Sequence, residues 1–300
     1  MRGACPGGLA PEPERRNRDA DAPIGPVRVA MVSDTFFGPD AGARLGERLR
    51  EARARGADLA LLPEIALCPW SPATKTPRPE DAEPPDGPRQ RLLQAAARAA
   101  GVAVLGSAIV LDAEGRRKNL SLLVDAGGQV LLRYEKLHLP EEPGFWETSH
   151  YEPGSAPPEV AELRGFPLGV QVCSDINRPQ VALALAAAGA EAILHPRATE
   201  RDTFDAWRLV LSAVALTGSC YVLSVNRPAP EGGTPLGGPS IAVGPDGEVL
   251  AEGTDPVIVV ALEREAVRRA RVDYPGYLAQ RPALYARAWS AAEGRRASPA

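Results

Sequence analysis

Cysteine and histidine are scarce in this chain, four and three in 300 residues, and their spacing excludes as much as their number. Cys5, Cys68, Cys173 and Cys220 stand far apart, with no C-x-x-C and no paired histidine, which leaves neither a disulfide framework nor a zinc site. His138, His150 and His195 are too scattered for a metal cluster or a histidine-based triad, so no metal and no cofactor is expected. Long apolar runs are missing as well; none approaches the roughly 18 residues that cross a bilayer. Charge of one sign is not concentrated either. A formal net charge of −4 without a Lys/Arg cluster gives no footprint for nucleic acid or for an anionic membrane.

The first 26 residues hold Pro, Gly, Arg and Asp but no apolar h-region, and read as a disordered leader on a cytoplasmic protein. Beyond them the chain alternates. Val27 to Val32, Asp58 to Leu62, Val102 to Leu105, Ser107 to Leu111, Leu168 to Val172, Glu191 to Leu194 and Tyr221 to Val225 are apolar, β-branched runs that predict strands. Ala41 to Arg55, Arg89 to Ala100 and Thr203 to Leu216 predict helices between them, and Glu263 to Val272 a last surface helix. Asn119 to Val124 and Gln129 to Tyr134 flank Gly127-Gly128 as a hairpin, and three further strands follow Pro239. Pro69 to Pro88 is too polar and too broken by proline for regular structure, and long enough to be a functional loop. Alternating helices and strands define a mixed α/β layered architecture. No linker interrupts it, so one domain is expected over 27–285, with a tail over 286–300.

Cys173 lies where an apolar strand gives way to the Ala-rich run behind Pro179, a strand-to-helix junction. There the positive end of a helix is expected to lower the thiol pKa. Two other polar residues end apolar strands. Glu64 closes Leu59-Ala-Leu-Leu-Pro-Glu64, and Lys136 closes Leu131-Leu-Arg-Tyr-Glu-Lys136. Singly, each reads as a solvated strand terminus. Jointly, a carboxylate, an ammonium and a thiol stand where α/β sheets form their ligand crevices.

These residues carry a resemblance. Gly56-Ala-Asp-Leu-Ala-Leu-Leu-Pro-Glu64 resembles the glutamate motif of the carbon–nitrogen hydrolases, the nitrilase superfamily. Tyr134-Glu-Lys-Leu-His-Leu-Pro140 resembles its lysine motif, and Gly169-Val-Gln-Val-Cys-Ser-Asp175 its cysteine motif. His195-Pro196, Val225-Asn226-Arg227 and the segment Gly238 to Gly247 are supporting matches. Cys173-Ser-Asp175 is similar to the C-x-D form of amidases and carbamoylases rather than the Cys-Trp-Glu of nitrilases. The stretch from His138 to Gly154 looks most like the N-carbamoylputrescine amidase and N-carbamoyl amino acid hydrolase branches.

The resemblance implies a four-layer α-β-β-α sandwich, assembled as a homodimer or larger homo-oligomer. It implies a small amide or N-carbamoyl (ureido) substrate cleaved through a Cys173 thioester, with Glu64 as general base, Lys136 as oxyanion donor and Glu147 as the second family glutamate. The backbone N–H of Ser174 is the expected second oxyanion donor. Arg178, in place of a common aromatic residue, is a candidate carboxylate binder. Trp146 and His195 are further substrate-binding candidates, and Trp70, Phe145 and Trp207 candidate pocket aromatics. Gln180 and Ala215-Leu216 depart from the acidic residues usual at those places, so the substrate need not match the branch. A specialised amidase, a catalytically weak binding member of the same fold, and a redox-sensing cysteine protein are the other readings.

Overall fold

The computed structural model describes residues 25–297. The leader expected over 1–26 lies outside the described residues except for its last two positions. In chain order the elements begin with β1 (Val27–Val32), α1 (Ala41–Ala54) and β2 (Leu59–Leu61). The long loop contains little more than 3-10 turns and β3 (Ala82–Glu83). Next come α2 (Pro88–Ala100), β4 (Ala103–Leu111), β5 (Arg117–Val124), β6 (Val130–Glu135) and a small hairpin of β7 (Glu141–Glu142) and β8 (Phe145–Trp146). The second half holds β9 (Val160–Leu163), β10 (Phe166–Val170), α3 (Pro179–Ala187), β11 (Ala192–Arg197), α4 (Phe204–Gly218) and β12 (Tyr221–Asn226). It closes with β13 (Ser240–Val243), β14 (Val249–Gly253), β15 (Val257–Leu262), α5 (Arg264–Val272) and α6 (Pro282–Ala297).

Two sheets result. One is seven-stranded, in the order β15-β1-β2-β4-β5-β6 with β3 beside β4; the other is six-stranded, β14-β13-β12-β11-β10-β9. The inner strands pair in parallel, β1 with β2 and β2 with β4 in one sheet, β10 with β11 and β11 with β12 in the other. Antiparallel strands form the flanks.

Side-chain alternation on single strands builds the layers. Leu59 and Leu61 of β2 face a core shared with Leu168, Leu194 and Leu223 of the other sheet. Ala60 and Leu62 face the opposite way, onto Leu45 and Leu49 of α1 and Leu93 of α2. In the second sheet Ala192 and Leu194 join the inter-sheet core, while Ile193 packs against Leu185 of α3 and Leu211 of α4. Three stacked cores make a four-layer α-β-β-α sandwich, as the resemblance implied.

Several expectations are corrected. β4 runs unbroken through Gly106, where two strands were expected. A Cβ there would lie 2.8 Å from Leu93 of α2, so glycine at this place lets the helix approach the sheet. β9 pairs antiparallel with β10 and was not among the strands expected. β10 ends at Val170, short of the expected Val172. The expected boundary at 285 falls inside α6, so most of the supposed tail is helical. No helix of the described residues is long and apolar enough to cross a membrane.

Candidate active site

The chemistry gathers at the C-terminal ends of β2, β6 and β10, one side chain from each. Lys136 follows β6 directly, and its backbone N–H donates to the Asn119 carbonyl at the start of β5 (3.0 Å). Its Nζ reaches Glu64 Oε1 at 2.8 Å and both carboxylate oxygens of Glu147 at 2.7 and 2.6 Å. All three side chains are fully buried.

Burial alone would lower the Lys136 pKa. The carboxylates of Glu147 and Glu64 outweigh that penalty and hold its pKa well above the usual range, so it is an ammonium. Glu147 responds the other way. Burial pushes its pKa up to about 8 with Glu64 adding to the rise, although the ammonium opposes it.

Glu64 is held from three sides. Asn119 Nδ2 donates to Oε1 at 2.8 Å, beside the Lys136 bond. Behind it, the buried guanidinium of Arg227 donates to the backbone carbonyls of Glu64 (2.8 Å), Ile65 (2.9 Å) and Cys68 (3.0 Å). Glu231 neutralises Arg227 at 2.7 Å. The other carboxylate oxygen, Oε2, is buried and has no protein partner. An unpartnered carboxylate oxygen in a buried site is costly and is free to accept a proton.

Cys173 opens a 3-10 turn, Cys173–Asn177, in a left-handed backbone conformation (φ +48°). Non-glycine residues are held in this region only by surroundings that over-determine them. Its thiol is buried and donates to the Ala198 carbonyl (Sγ to O 3.7 Å).

Here the expectation of a lowered pKa is overturned. α3 begins only at Pro179, so its dipole does not bear on Cys173, and burial together with the Glu64 carboxylate drives the thiol well above its ordinary value. The resting group is a thiol. Cys68 and Cys220 are buried in separate cores from Cys173, which disfavours a redox pair. Among the described residues no group of three or more His, Cys, Asp or Glu side chains is placed to hold a metal ion.

Asp175 joins the two sheets at this point. Its carboxylate accepts from Tyr134 Oη (2.8 Å), from the backbone N–H groups of Leu137 (3.2 Å) and His138 (2.8 Å) and from Val172 N–H (3.2 Å). His138 Nδ1 lies 2.8 Å from the same carboxylate. Ser174 Oγ donates to the His138 carbonyl at 2.5 Å. The lysine segment and the nucleophile turn are therefore tied by side chains from both.

The other sequence candidates lie elsewhere. Arg178 is exposed and donates to the Asn177 carbonyl (3.0 Å), with no bond to the buried cluster. Both ring nitrogens of His195 are hydrogen-bonded to protein groups, Nε2 to the Cys173 carbonyl (2.9 Å) and Nδ1 to Ser224 Oγ (2.8 Å). Trp146 is half-buried, with the Lys75 ammonium 4.1 Å above its ring. Trp70 is buried, packs edge-on against Phe145 and donates to the Gly144 carbonyl (2.8 Å); Trp207 packs on His195.

Asn119 and Asp175 were assigned no role from the sequence. Asn119 left no clear signal, since it follows Arg117 and Lys118 on a strand that also holds Ser121.

Fold and cluster together define a class, the α-β-β-α hydrolases of C–N bonds. The chain belongs to the carbon–nitrogen hydrolase family, whose model matches residues 42–272. It is 33% identical over 236 residues to a hydrolase encoded 5′ of pqqF in Pseudomonas protegens, covering 77% of this chain and 81% of that one. It is 26% identical over 296 residues to the N-carbamoylputrescine amidase of Arabidopsis thaliana, covering 91% of this chain and 96% of that one. Among solved structures it is similar to a variant of the amidase from Nesterenkonia sp. AN1, with a TM-score of 0.74 and 27% identity over 94% of this chain and all of that one. That amidase carries the acetamide moiety of fluoroacetamide covalently on its active-site cysteine.

Proposed function

We propose that this protein hydrolyses a linear amide or an N-carbamoyl (ureido) compound through a Cys173 thioester. The observation that carries the reading is the buried cluster of Glu64, Lys136 and Glu147 beside the Cys173 turn, with Glu64 Oε2 left open. Glu64 Oε2 accepts the thiol proton as Sγ attacks the carbonyl carbon, so the high thiol pKa is relieved only when substrate is in place. The oxyanion that forms is held by Lys136 Nζ and the Ser174 N–H, and one such donor is worth about 3–4 kcal/mol of barrier. Collapse breaks the C–N bond, and Glu64 returns its proton to the departing ammonia or amine. Water, deprotonated by Glu64, then attacks the thioester and releases the acid with the regenerated thiol. For a ureido substrate the acid is a carbamic acid, which loses carbon dioxide to give the amine.

The substrate class is tested by ammonia release across N-carbamoyl amino acids, N-carbamoyl diamines, ω-amides and simple aliphatic amides. Cysteine-dependent release from one subset is the expected result. Turnover of none of these, by folded protein, would overturn the reading.

The assembly proposed is a homodimer or a larger homo-oligomer. Tyr285 and Trp289 on α6 are 51% and 57% exposed, and with Leu183 and Ala187 of α3 they line an apolar groove of about 780 Å³. Aromatic side chains exposed along one groove suit a surface that a second copy of the chain covers. Light scattering is expected to give at least twice the 31.7 kDa chain mass, and Trp289→Glu to lower it; a monomeric parent protein would sink the proposal.

A further inference from the structure

Arg197 is a fully buried guanidinium that no carboxylate bonds among the described residues. A buried cation without an anionic partner is expensive, so its place calls for a reason. Its Nε donates to Ser224 Oγ at 2.8 Å, Nη1 donates to Thr199 Oγ1 at 2.5 Å, and Nη2 donates to the Pro239 carbonyl. The Phe204 ring lies 5.4 Å from its guanidinium carbon.

Elementary donor and acceptor rules give these hydrogen bonds a single direction. A guanidinium only donates, so Ser224 Oγ accepts from Arg197 and keeps its single proton for another partner. That partner is His195 Nδ1, 2.8 Å away. A carbonyl only accepts, so the proton on the opposite ring nitrogen, Nε2, points at the Cys173 carbonyl at 2.9 Å. Burial holds His195 neutral, with its pKa down to about 3. The chain Arg197, Ser224, His195, Cys173 carbonyl thus runs one way, anchored by a group that cannot lose its proton near neutral pH.

The Cys173 carbonyl shares a rigid trans peptide with the Ser174 N–H, and the two point in opposite directions. Hydrogen bonding around the turn starts with Asp175 N–H to the Val172 carbonyl, which leaves the Ser174 N–H out of it. Fixing the carbonyl from beneath therefore fixes the direction of that N–H above. We propose that Arg197, Ser224 and His195 form a positioning relay that locks the Cys173–Ser174 peptide and aims the Ser174 N–H at the developing oxyanion. The proposal rests on the reading of Cys173 as nucleophile and adds to it a reason why the strained backbone at Cys173 (φ +48°) persists.

The test compares His195→Leu, which cannot donate, with His195→Gln, whose amide N–H takes the place of Nε2–H; only variants melting close to the parent are compared. Alkylation of Cys173 by iodoacetamide, followed by intact mass, is expected to speed up roughly tenfold in His195→Leu as the turn loosens. It returns to within about twofold of the parent in His195→Gln. On an amide that the parent turns over, kcat falls up to about 100-fold in His195→Leu with little change in KM, and His195→Gln recovers most of it. If His195→Leu does not fold, Ser224→Ala breaks the relay at its middle link and is measured in the same way. Equal alkylation and equal kcat in the Leu and Gln variants would overturn the relay. Turnover surviving in Cys173→Ala would instead overturn the nucleophile reading.

Discussion

Cys173→Ala is expected to lose turnover by a factor on the order of 10⁴ or more while melting within about 4 °C of the parent chain. The two halves of this result come from different physics. Removal of Sγ deletes the atom that forms the covalent intermediate, and the remaining donors stabilise an oxyanion that no longer forms on the enzyme. The fold loses only one weak thiol bond to the Ala198 carbonyl and a small buried volume. A second arm uses the high thiol pKa. The resting thiol is driven up by burial and by Glu64, so alkylation of Cys173 in the free enzyme is expected to be slow at neutral pH and to accelerate in Glu64→Gln, which removes the neighbouring negative charge. Undiminished ammonia release by Cys173→Ala would show that the chemistry runs through another group. Fast alkylation of the parent at neutral pH would show that the thiolate is preformed.

Glu64 and Cys173 stood out because each breaks an apolar run at its end, Lys136 because it directly follows a strand, and the strand pattern puts those ends on one side of the molecule. The roles proposed for them rest on the resemblance, since spacing alone leaves solvated strand termini as good a reading. What stayed hidden depends on tertiary packing. Leu59 and Leu61 differ from Ala60 and Leu62 only in the core they enter, so the layer count cannot be read from a strand that is apolar on both faces. The raised thiol pKa comes from burial and from a carboxylate far away in sequence, which outweigh any helix dipole. The bond of His195 to Ser224 was hidden because Ser224 stands on a neighbouring strand, and only the β11–β12 register brings the two side by side. α6 escaped detection because its exposed Leu284, Tyr285 and Trp289 form no stripe that this chain itself buries.

Lys136→Ala is expected to combine a large loss of activity with a loss of stability that depends on pH. The ammonium bonds both Glu64 and Glu147 in a fully buried site, and removing one partner of such an arrangement costs about 3–5 kcal/mol. The sign with pH is set by Glu147. Glu147 already titrates at about 8, well above a carboxyl in the unfolded chain, because burial disfavours its charge. Without Lys136 its pKa in the folded state rises further. A carboxyl whose folded pKa is raised contributes stability fully below its unfolded value, and that contribution is lost as pH rises through the folded one. Between about pH 5 and 7 Glu147 is protonated in both folded proteins and the deficit of Lys136→Ala against the parent is flat; it grows above pH 8, where the parent's Glu147 ionises beside the ammonium and the variant's does not. Lys136→Ala,Glu147→Gln removes the carboxyl that the single variant must keep protonated and should recover much of the stability at pH 9 without restoring turnover, because the oxyanion still lacks its ammonium. Thermal melts of the three proteins at pH 6 and pH 9 decide it. A deficit of equal size at both values would mean that the lysine acts by packing, and that the buried charges are balanced by some other group.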